Sequence, residues 1–515
     1  MPEMCIFSLK SGIMIGMAAN LPPFILALLD PARYPDGVTQ VEWVQTHISW
    51  VLLAGEFAYK IKKPVKLSFL DFSTLALRQK YCQDELRLNR RFAPDLYLEV
   101  VGIFNTPQDP QWQGSGVPID YAVKMHRFDE SARLDHVCQR GELQARHLSA
   151  LADAVVALHQ QAAMAPAGSR FGSGAHILQP ALDNFFDLFQ CLPEASLQAR
   201  LAVLQAWTQS QFEQLAPLMQ ARQRAGRVRE CHGDLHLANM VLIDGRVQLF
   251  DCIEFNEDLR WIDVASEMAF VYIDLLAHKQ PGLADWLLDE VLSRSGDYEA
   301  ARVLRFYAVY RAMVRAKVAA LRAAQTGMAN PEVQAYVALA ERLVLPVPLR
   351  LVITHGLSGC GKTVASDALL QADPQGATLR LRSDVQRKRL FGLAPGTGSG
   401  SGVGAGMYAA DAHGRTYAHL HEQAAMLLQA GWSVVVDAAF LQRADRDRFS
   451  ALAQQMGASF SILAPQASPA QLRQRILARR AAGHDASEAT LAVLAQQMQT
   501  IEPLAPDELG LTSPL

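Results

Sequence analysis

Two stretches decide the fold class of this 515-residue chain: HGDLHLAN at residues 232–239, with Asp251 beyond it, and GLSGCGKT at residues 356–363. Each is typical of a phosphate-handling site, and the two belong to unrelated folds. A single nucleotide site would leave a kinase, an ATPase and a nucleotide sensor open. Two sites of different architecture indicate two ATP-consuming or ATP-gated domains joined covalently.

The length and composition around these motifs fit two good-sized globular domains. Half of the residues are hydrophobic and 19% are charged, and the formal net charge of −3 gives no general case for nucleic-acid or membrane binding. Seven dispersed cysteines without a CxxC pair suggest neither a disulfide scaffold nor a zinc site, so we expect a reduced, cytoplasmic protein.

The apolar first 29 residues raise the question of a leader or a membrane span. Asn20, Pro22 and Pro23 break the run before it reaches the roughly 18 residues that a span needs. No small-residue cleavage pattern follows a basic region, so we expect no signal peptide. A start at Met14 or Met17, with residues 1–16 outside the fold, stays open as an alternative.

The segment around the first motif is predicted to form a small sheet lobe and then a helical lobe. Two strands flank a turn at Ala54-Gly55-Glu56, a helix follows, and two more strands come after it. Beyond them the pattern is helical, interrupted only by two short strands beside the motif. The predicted strands are 47–53, 57–62, 96–104, 118–125, 240–243 and 247–250, and the predicted helices are 73–92, 142–165, 178–190, 195–222, 260–278, 283–295 and 300–325.

The segment around the second motif alternates strands with helices, which predicts an α/β domain with a parallel sheet. Its apolar strands are expected at 349–354, 377–382, 432–436 and 458–463. Residues 392–406 are mostly Gly, Ser and Ala, and we expect a mobile loop, either a disordered insertion or a functional lid. The prolines of 326–348 mark a linker between domains at 17–325 and 349–515, with a connecting helix at 332–343 as an open alternative.

The first motif contains the parts that phosphoryl transfer to a hydroxyl requires. One carboxylate must accept or orient the acceptor proton, and a carboxamide with a second carboxylate must hold magnesium against the phosphates. Asp234 fits the first role, and Asn239 and Asp251 fit the metal roles. We expect His232 and His236 to fix the loop. If these residues only capped turns, their fixed spacing would be a coincidence.

The motif is a variant of the protein-kinase pattern, with His-Gly in place of His-Arg and Asp-Cys-Ile in place of Asp-Phe-Gly. It resembles the aminoglycoside phosphotransferase and choline kinase branch of the kinase-like fold, over roughly residues 20–325. The resemblance implies a two-lobed α+β domain that phosphorylates small molecules with ATP and Mg²⁺. By position, Lys60 would grip the α and β phosphates and Glu85 would pair with it, with Lys62 as the alternative lysine. The turn before Lys60 is not a GxGxxG loop, and Asp263 is expected to hold the catalytic loop or cap the next helix.

The second motif is a Walker A phosphate loop in the expected context, after an apolar strand and at the start of a helix. Gly356, Gly359 and Gly361 would let backbone N–H groups close on the phosphates, and the helix N-terminus adds a favourable dipole. Lys362 would reach the β and γ phosphates, and Thr363 would bind magnesium.

Residues beyond the phosphate loop resemble the polynucleotide kinase and zeta-toxin group of P-loop kinases. The resemblance implies that Asp384 is the acceptor-orienting base and Arg387 a phosphate or substrate clamp. Asp437, at the end of a strand, suits magnesium or substrate contact. Arg475 and Arg479 share a helical face and resemble the arginine-bearing lid of these kinases, although such arginines are often only a solvated face.

The order of the two motifs resembles that of bacterial two-domain proteins in which a kinase-like domain is fused to a P-loop kinase. We therefore expect a bifunctional ATP-dependent phosphotransferase that moves the γ-phosphate to a hydroxyl of a small molecule. The alternative is a nucleotide-sensing or toxin-like P-loop domain that regulates the kinase-like domain or is regulated by it. A nucleic-acid end kinase would need a broad basic surface, which the composition lacks. The acceptors, the choice of ATP over GTP and the oligomeric state stay open.

Overall fold

The computed structural model describes residues 21–35, 37–67, 70–326, 330–394, 397, 410–482 and 487–512. The expectations for residues 1–16 and for most of the 392–406 loop lie outside these ranges.

The chain forms two compact units. One consists of Met1–His278 with Val303–Val344, and the other of Lys279–Arg302 with Leu345–Leu515. The predicted domain limits at 17–325 and 349–515 stay a prediction, but the contacts of residues 279–302 group them with the second unit.

The helices and strands follow one another along the described residues in this way. The strands are β1 (Val41–Gln45), β2 (Ser49–Ala54), β3 (Phe57–Lys62), β4 (Lys66–Leu67), β5 (Leu70–Asp71), β6 (Tyr97–Thr106), β7 (Asp109–Gln111), β8 (Asp120–His126), β9 (Val228–Glu230), β10 (Met240–Ile243), β11 (Arg246–Leu249), β12 (Trp261–Asp263), β13 (Arg350–Thr354), β14 (Thr378–Arg382), β15 (Ser433–Asp437) and β16 (Ser459–Leu463). The helices are α1 (Pro23–Ala27), α2 (Leu75–Asn89), α3 (Leu134–Gln139), α4 (Ala145–Gln161), α5 (Gly174–Cys191), α6 (Ala195–Arg224), α7 (Glu257–Arg260), α8 (Val264–Ala277), α9 (Pro281–Ser295), α10 (Ala301–Thr326), α11 (Pro331–Val344), α12 (Lys362–Gln371), α13 (Ser383–Leu390), α14 (Ala410–Gln429), α15 (Arg443–Gln455), α16 (Pro469–Ala482), α17 (Leu491–Thr500) and α18 (Pro506–Leu509).

The first unit begins with an antiparallel sheet in the order β1-β2-β3-β8-β6-β7. The predicted hairpin forms as β2 and β3, with Val51 opposite Lys60. Alternate side chains of β3 point to opposite faces, so Tyr59 and Ile61 enter one apolar cluster while Lys60 and Lys62 lie on the other face. Helix α2 is linked to the same sheet through an ion pair between Arg78 and Asp120 (2.8 Å). The sheet therefore presents two lysines toward the predicted site.

The helical part of the first unit carries the first motif between β9 and the hairpin β10-β11. One predicted helix differs from the structure: the segment 260–278 begins instead with a strand, β12, which pairs with β9. Helix α8 starts only after Asp263, whose carboxylate accepts a hydrogen bond from Ala265 N and pairs with Arg222. Asp263 therefore caps a helix, as expected. Helix α8 is buried along almost its whole length.

The second unit contains a four-stranded parallel sheet in the order β14-β15-β13-β16, which confirms the predicted α/β architecture. Helix α9 packs beside β14, where Asp289 pairs with the buried Arg380 at 2.9 Å. The carboxyl ends of β13, β14 and β15 lie at one edge of the sheet, the usual ligand-binding edge of such folds. The connecting-helix alternative for 332–343 is observed as α11, which belongs to the first unit.

Two expectations from composition concern the described ranges as a whole. The six cysteines within them are free thiols. Among the described helices, none is both long enough and apolar enough to cross a membrane.

Candidate active sites

A buried network of lysines and carboxylates forms between β3, α2 and the segment after β11. Lys60 Nζ donates to Glu85 Oε1 (2.5 Å) and to Asp251 Oδ1 (2.6 Å). Lys62 Nζ donates to Glu85 Oε2 (2.7 Å) and to a carboxylate oxygen of Glu254. The predicted pair of Lys60 and Glu85 therefore forms, and of the two candidate lysines it is Lys60 that contacts Asp251.

The carboxylates of this network keep its two lysines protonated. Burial alone would lower the pKa of Lys60, but the carboxylates of Asp251 and Glu85 outweigh burial and raise that pKa well above its ordinary value. The same balance of burial against Glu254 and Glu85 raises the pKa of Lys62. Both lysines therefore stay charged in the interior. A fixed ammonium beside a carboxylate is what binding of a nucleotide phosphate with a metal ion requires.

The three predicted residues of the first motif lie close together. Asn239 Nδ2 donates to the backbone oxygen of Asp234 (2.9 Å) and to its Oδ2 (3.2 Å). The backbone of Asn239 is tied to the strand end that precedes Asp251, since Phe250 N donates to Asn239 O (3.0 Å). Asp251 itself has a left-handed backbone (φ 68°) and donates its N–H to the hydroxyl of Tyr97 (2.9 Å). Aspartate tolerates this conformation better than most residues, and here it places the carboxylate beside Lys60.

Glu267 of α8 holds the start of the motif and was not predicted from the sequence. Its Oε1 accepts the backbone N–H groups of His232 (2.6 Å) and Gly233 (2.8 Å), and its Oε2 contacts His159 Nε2 (2.8 Å). Burial raises the pKa of Glu267, but hydrogen bonding and charge from His159 and the other donors prevail and lower it to about 2. Gly233 is needed here because its φ of 88° is left-handed and a Cβ would lie 2.8 Å from Leu259 O.

His232 joins the two halves of the site. Its Nε2 lies 2.8 Å from Phe250 O, and because a carbonyl can only accept, Nε2 carries the proton. Its Nδ1 then accepts the N–H of Asp234 (3.4 Å). Burial lowers the pKa of His232, which favours the neutral ring. These contacts agree with a loop-fixing role. Asp274 of α8 adds a further support by accepting Leu237 N (2.9 Å).

The phosphate loop of the second unit lies between β13 and α12. Gly356, Gly359 and Gly361 all have positive φ (141°, 86° and 106°), which glycine adopts without strain. Lys362 Nζ donates to the backbone oxygens of Gly356 and Leu357, both at 2.9 Å. The loop therefore has the backbone geometry of a phosphate nest, with its lysine bound to the loop itself.

The residues predicted to hold magnesium in this unit meet directly. Thr363 Oγ1 donates to Asp437 Oδ2 (2.8 Å), and Arg382 Nε lies 3.9 Å from the same carboxylate oxygen. A hydroxyl and a carboxylate from neighbouring elements are the oxygen donors that Mg²⁺ takes in P-loop proteins. The donor set therefore fits the ion.

A cavity of about 750 Å³ lies beside the phosphate loop, and the other predicted residues of the second unit line it. Asp384 lies in the first turn of α13, with its Oδ1 at 3.5 Å from Arg387 Nη1. Arg475 Nη1 donates to the backbone oxygens of Gly359 (3.2 Å) and Cys360 (3.3 Å). The cavity residues that the sequence singled out are Gly359, Gly361, Lys362, Thr363, Asp384, Arg387, Asp437, Arg475 and Arg479. Their roles toward a ligand stay predictions.

Gln497 of α17 is a second residue of this site that the sequence did not reveal. Its Oε1 accepts the N–H of Ser358, a phosphate-loop amide, at 2.8 Å. Neither Gln497 nor Glu267 belongs to a motif with fixed spacing from the residues that it contacts. Only the fold brings each of these side chains to the backbone N–H groups that it accepts, so no local pattern could have identified either residue.

Comparisons with known proteins find similarities to both parts of the chain. Residues 351–504 match the family model described as an AAA domain. An uncharacterised protein of Mycobacterium tuberculosis (strain ATCC 25618 / H37Rv) is 28% identical over 455 residues, 88% of this chain and 89% of that protein. Among solved structures, a choline kinase from Cryptosporidium parvum Iowa II has 9% identity and a TM-score of 0.40, covering 62% of this chain and 94% of that one. A thermostable mutant of the aminoglycoside phosphotransferase APH(4)-Ia has 12% identity and a TM-score of 0.39, covering 63% of this chain and 98% of that one.

The family match covers the phosphate loop at residues 356–363. The predicted order of an α+β part followed by an α/β domain with a parallel sheet is confirmed.

Proposed function

We propose that the chain is a Mg²⁺- and ATP-dependent phosphotransferase whose first unit transfers the γ-phosphate to a hydroxyl of a small molecule. The observation that carries the proposal is the position of Lys60 Nζ between Glu85 and Asp251, with Asp234 and Asn239 hydrogen-bonded to each other. Phosphoryl transfer needs this combination of a phosphate-binding cation, metal-binding oxygens and a proton acceptor.

Each group of the first unit has a defined task in this proposal. Lys60 binds the α and β phosphates, and Glu85 keeps its ammonium group in place. Asn239 and Asp251 hold Mg²⁺, which neutralises charge on the phosphates. Asp234 accepts the hydroxyl proton as the acceptor oxygen bonds to the γ phosphorus and the bond from that phosphorus to the β–γ bridging oxygen breaks, which leaves ADP.

The second unit is proposed to be a separate nucleotide site with kinase chemistry. Lys362 and Thr363 bind the phosphates and Mg²⁺, with Asp437 supporting the ion. Asp384 is the carboxylate that would orient an acceptor. The support is that these side chains line one cavity and that Thr363 and Asp437 are already hydrogen-bonded.

A metabolite screen for acceptor-dependent ATP consumption tests both assignments on the full chain. The variants are Asp234→Asn, Lys362→Ala and the double variant. Asp244→Asn, in the exposed turn between β10 and β11, is the matched control. We expect Asp234→Asn to abolish one set of acceptor-dependent activities and Lys362→Ala another. If Asp234→Asn leaves every such activity intact, the first unit is not the proposed kinase. If Lys362→Ala abolishes activities that also need Asp234, the two units act in series or one gates the other.

A further inference from the structure

Arg315 of α10 is a cation in the first unit that the proposed reaction does not use. Its Nε donates to the hydroxyl of Tyr336 (3.1 Å), and the guanidinium lies over the ring of Tyr336 at 5.5 Å. Its Nη1 is buried and has no hydrogen-bond partner among the described residues. Within the same ranges Arg315 forms no ion pair, while the nearby Glu332 contacts Arg322 instead (3.9 Å).

Keeping a guanidinium partly buried with an unpaired N–H donor costs folding free energy. Charged side chains removed from water are normally paired, and a buried donor without an acceptor costs about 1–3 kcal/mol. Tyr336 satisfies only one of the five N–H donors of Arg315. The Nη1 group therefore remains able to donate a hydrogen bond to an additional anionic partner.

Arg315 belongs to the same neighbourhood as the first motif. One helical turn before it, the Arg311 guanidinium lies 5.0 Å from the Phe270 ring centre, and that ring lies 5.8 Å from the ring of His236. The charges agree with this location. Burial lowers the pKa of Arg315, but Tyr336, Asp274 and Asp234 prevail and raise it.

We propose that Arg315 binds a carboxylate or phosphate group of the acceptor, so that the first unit phosphorylates an anionic hydroxyl compound. This inference rests on the proposed function of that unit. A guanidinium presents paired N–H donors that match both anions, and Tyr336 fixes its orientation. A cationic acceptor would gain no hydrogen bond from the Arg315 guanidinium, because this group can only donate.

Matched acceptors that differ only in charge test the proposal. The protein carries Lys362→Ala to silence the second unit, and the pairs are glycerol with glycerol 3-phosphate and with glycerate, ribose with ribose 5-phosphate, and choline as the cationic probe. We expect the anionic member to be used with at least about 10-fold higher kcat/KM. Comparing kcat/KM for glycerol 3-phosphate with kcat/KM for glycerate shows whether the site prefers a phosphate or a carboxylate. An equal or higher kcat/KM for the neutral members or for choline would overturn the proposal.

Variants separate binding of the acceptor from a structural role. Arg315→Met should raise KM for the anionic acceptor about 10- to 100-fold, the loss expected for charge-assisted hydrogen bonds, with kcat and the neutral acceptor little changed. Arg315→Lys should restore part of the affinity. The control is Arg342→Met, which removes an exposed arginine of α11. An equal loss of kcat/KM for both members of a pair in Arg315→Met would show a merely structural role.

A binding measurement keeps this inference distinct from the proposed function. Thermal unfolding of the Lys362→Ala protein in sodium sulfate is compared with sodium chloride at equal ionic strength. Sulfate also stabilises folded proteins in general, so we expect the sulfate stabilisation to be smaller in Arg315→Met than in the Lys362→Ala protein, and unchanged in Arg342→Met. An equal sulfate effect in all three proteins would refute the anion site, and this measurement decides alone if no pair is turned over. Failure of the proposed function instead shows as acceptor-dependent activity that survives Asp234→Asn.

Discussion

Replacing the buried Glu267 with Gln should loosen the start of the first motif. The carboxylate accepts the N–H groups of His232 and Gly233 and contacts His159. Gln keeps the size and one acceptor oxygen, but it loses the charge that faces three donors. The substitution therefore tests the electrostatic support of the loop with little change in packing.

The expected magnitude follows from the pKa of Glu267. Folding lowers it from an ordinary value of 4.5 to about 2, which corresponds to about 3 kcal/mol in favour of the folded, ionised form. Breaking a buried charged interaction costs about 3–5 kcal/mol in general. Since Gln retains part of the hydrogen bonding, we expect Glu267→Gln to lower the free energy of unfolding by about 3 kcal/mol.

The pH dependence has a defined sign. The folded pKa lies below the unfolded one, so the stabilisation is complete above about pH 4.5 and is lost as the pH falls toward about 2. The difference in stability between the wild type and Glu267→Gln should therefore shrink as the pH falls below about 4.5.

Hydrogen exchange measured by mass spectrometry reads this effect at the loop itself. A loss of 3 kcal/mol should raise the exchange rates of the amides of His232 and Gly233 about 100-fold. The control is Glu213→Gln on an exposed position of α6. Unchanged exchange of residues 230–236 in Glu267→Gln, or an equal change in the control, would refute the argument that the charge holds the loop.

Three further predictions concern nucleotide binding. Lys60→Met should lower kcat/KM of the first unit about 10- to 100-fold, because charge-assisted contacts with the phosphates are lost. Steady-state kinetics measures this, and an unchanged kcat/KM would exclude Lys60 as the phosphate ligand. Thr363→Ala should weaken Mg²⁺-dependent ATP binding by about 10-fold in calorimetry, while equal binding with and without Mg²⁺ in the wild type would contradict the assignment. Gln497→Ala should tighten ATP binding a few-fold, because the Ser358 N–H no longer has a protein acceptor to give up; weaker binding would show that Gln497 contacts the nucleotide.

Much of the fold follows from local pattern. Alternating apolar residues around Gly55 predict the hairpin, and the four apolar runs after residue 349 predict the parallel sheet. The segment 260–278 shows where pattern is insufficient. Its apolar residues fit a single helix, but pairing of Trp261–Asp263 with β9 and capping by Asp263 delay the helix to Val264. Strand pairing across 31 residues of sequence leaves no periodic signal.

The candidate sites divide in the same way. Asp234 and Asn239 stand five residues apart in one motif, and the phosphate loop is continuous, so the sequence alone predicts them. Lys60 and Glu85 needed a family resemblance. Glu267 was not predicted, because a buried carboxylate on an apolar helix has no motif and its effect depends on which backbone N–H groups the fold brings to it.

The ion pair between Arg380 and Asp289 has a practical consequence for dividing the protein. Arg380 is 2% exposed, and its carboxylate partner Asp289 precedes the interdomain linker in sequence. A fragment that starts at Leu345 would retain the whole phosphate loop but lose Lys279–Arg302. The buried guanidinium of Arg380 would then lack Asp289. Trp432 Nε1 would lose the Ala301 oxygen, to which it donates at 2.9 Å. We expect such a fragment to be recovered folded only with residues 279–302 fused to it or supplied as a peptide. Studying either proposed nucleotide site separately therefore requires inactivating substitutions in the full chain.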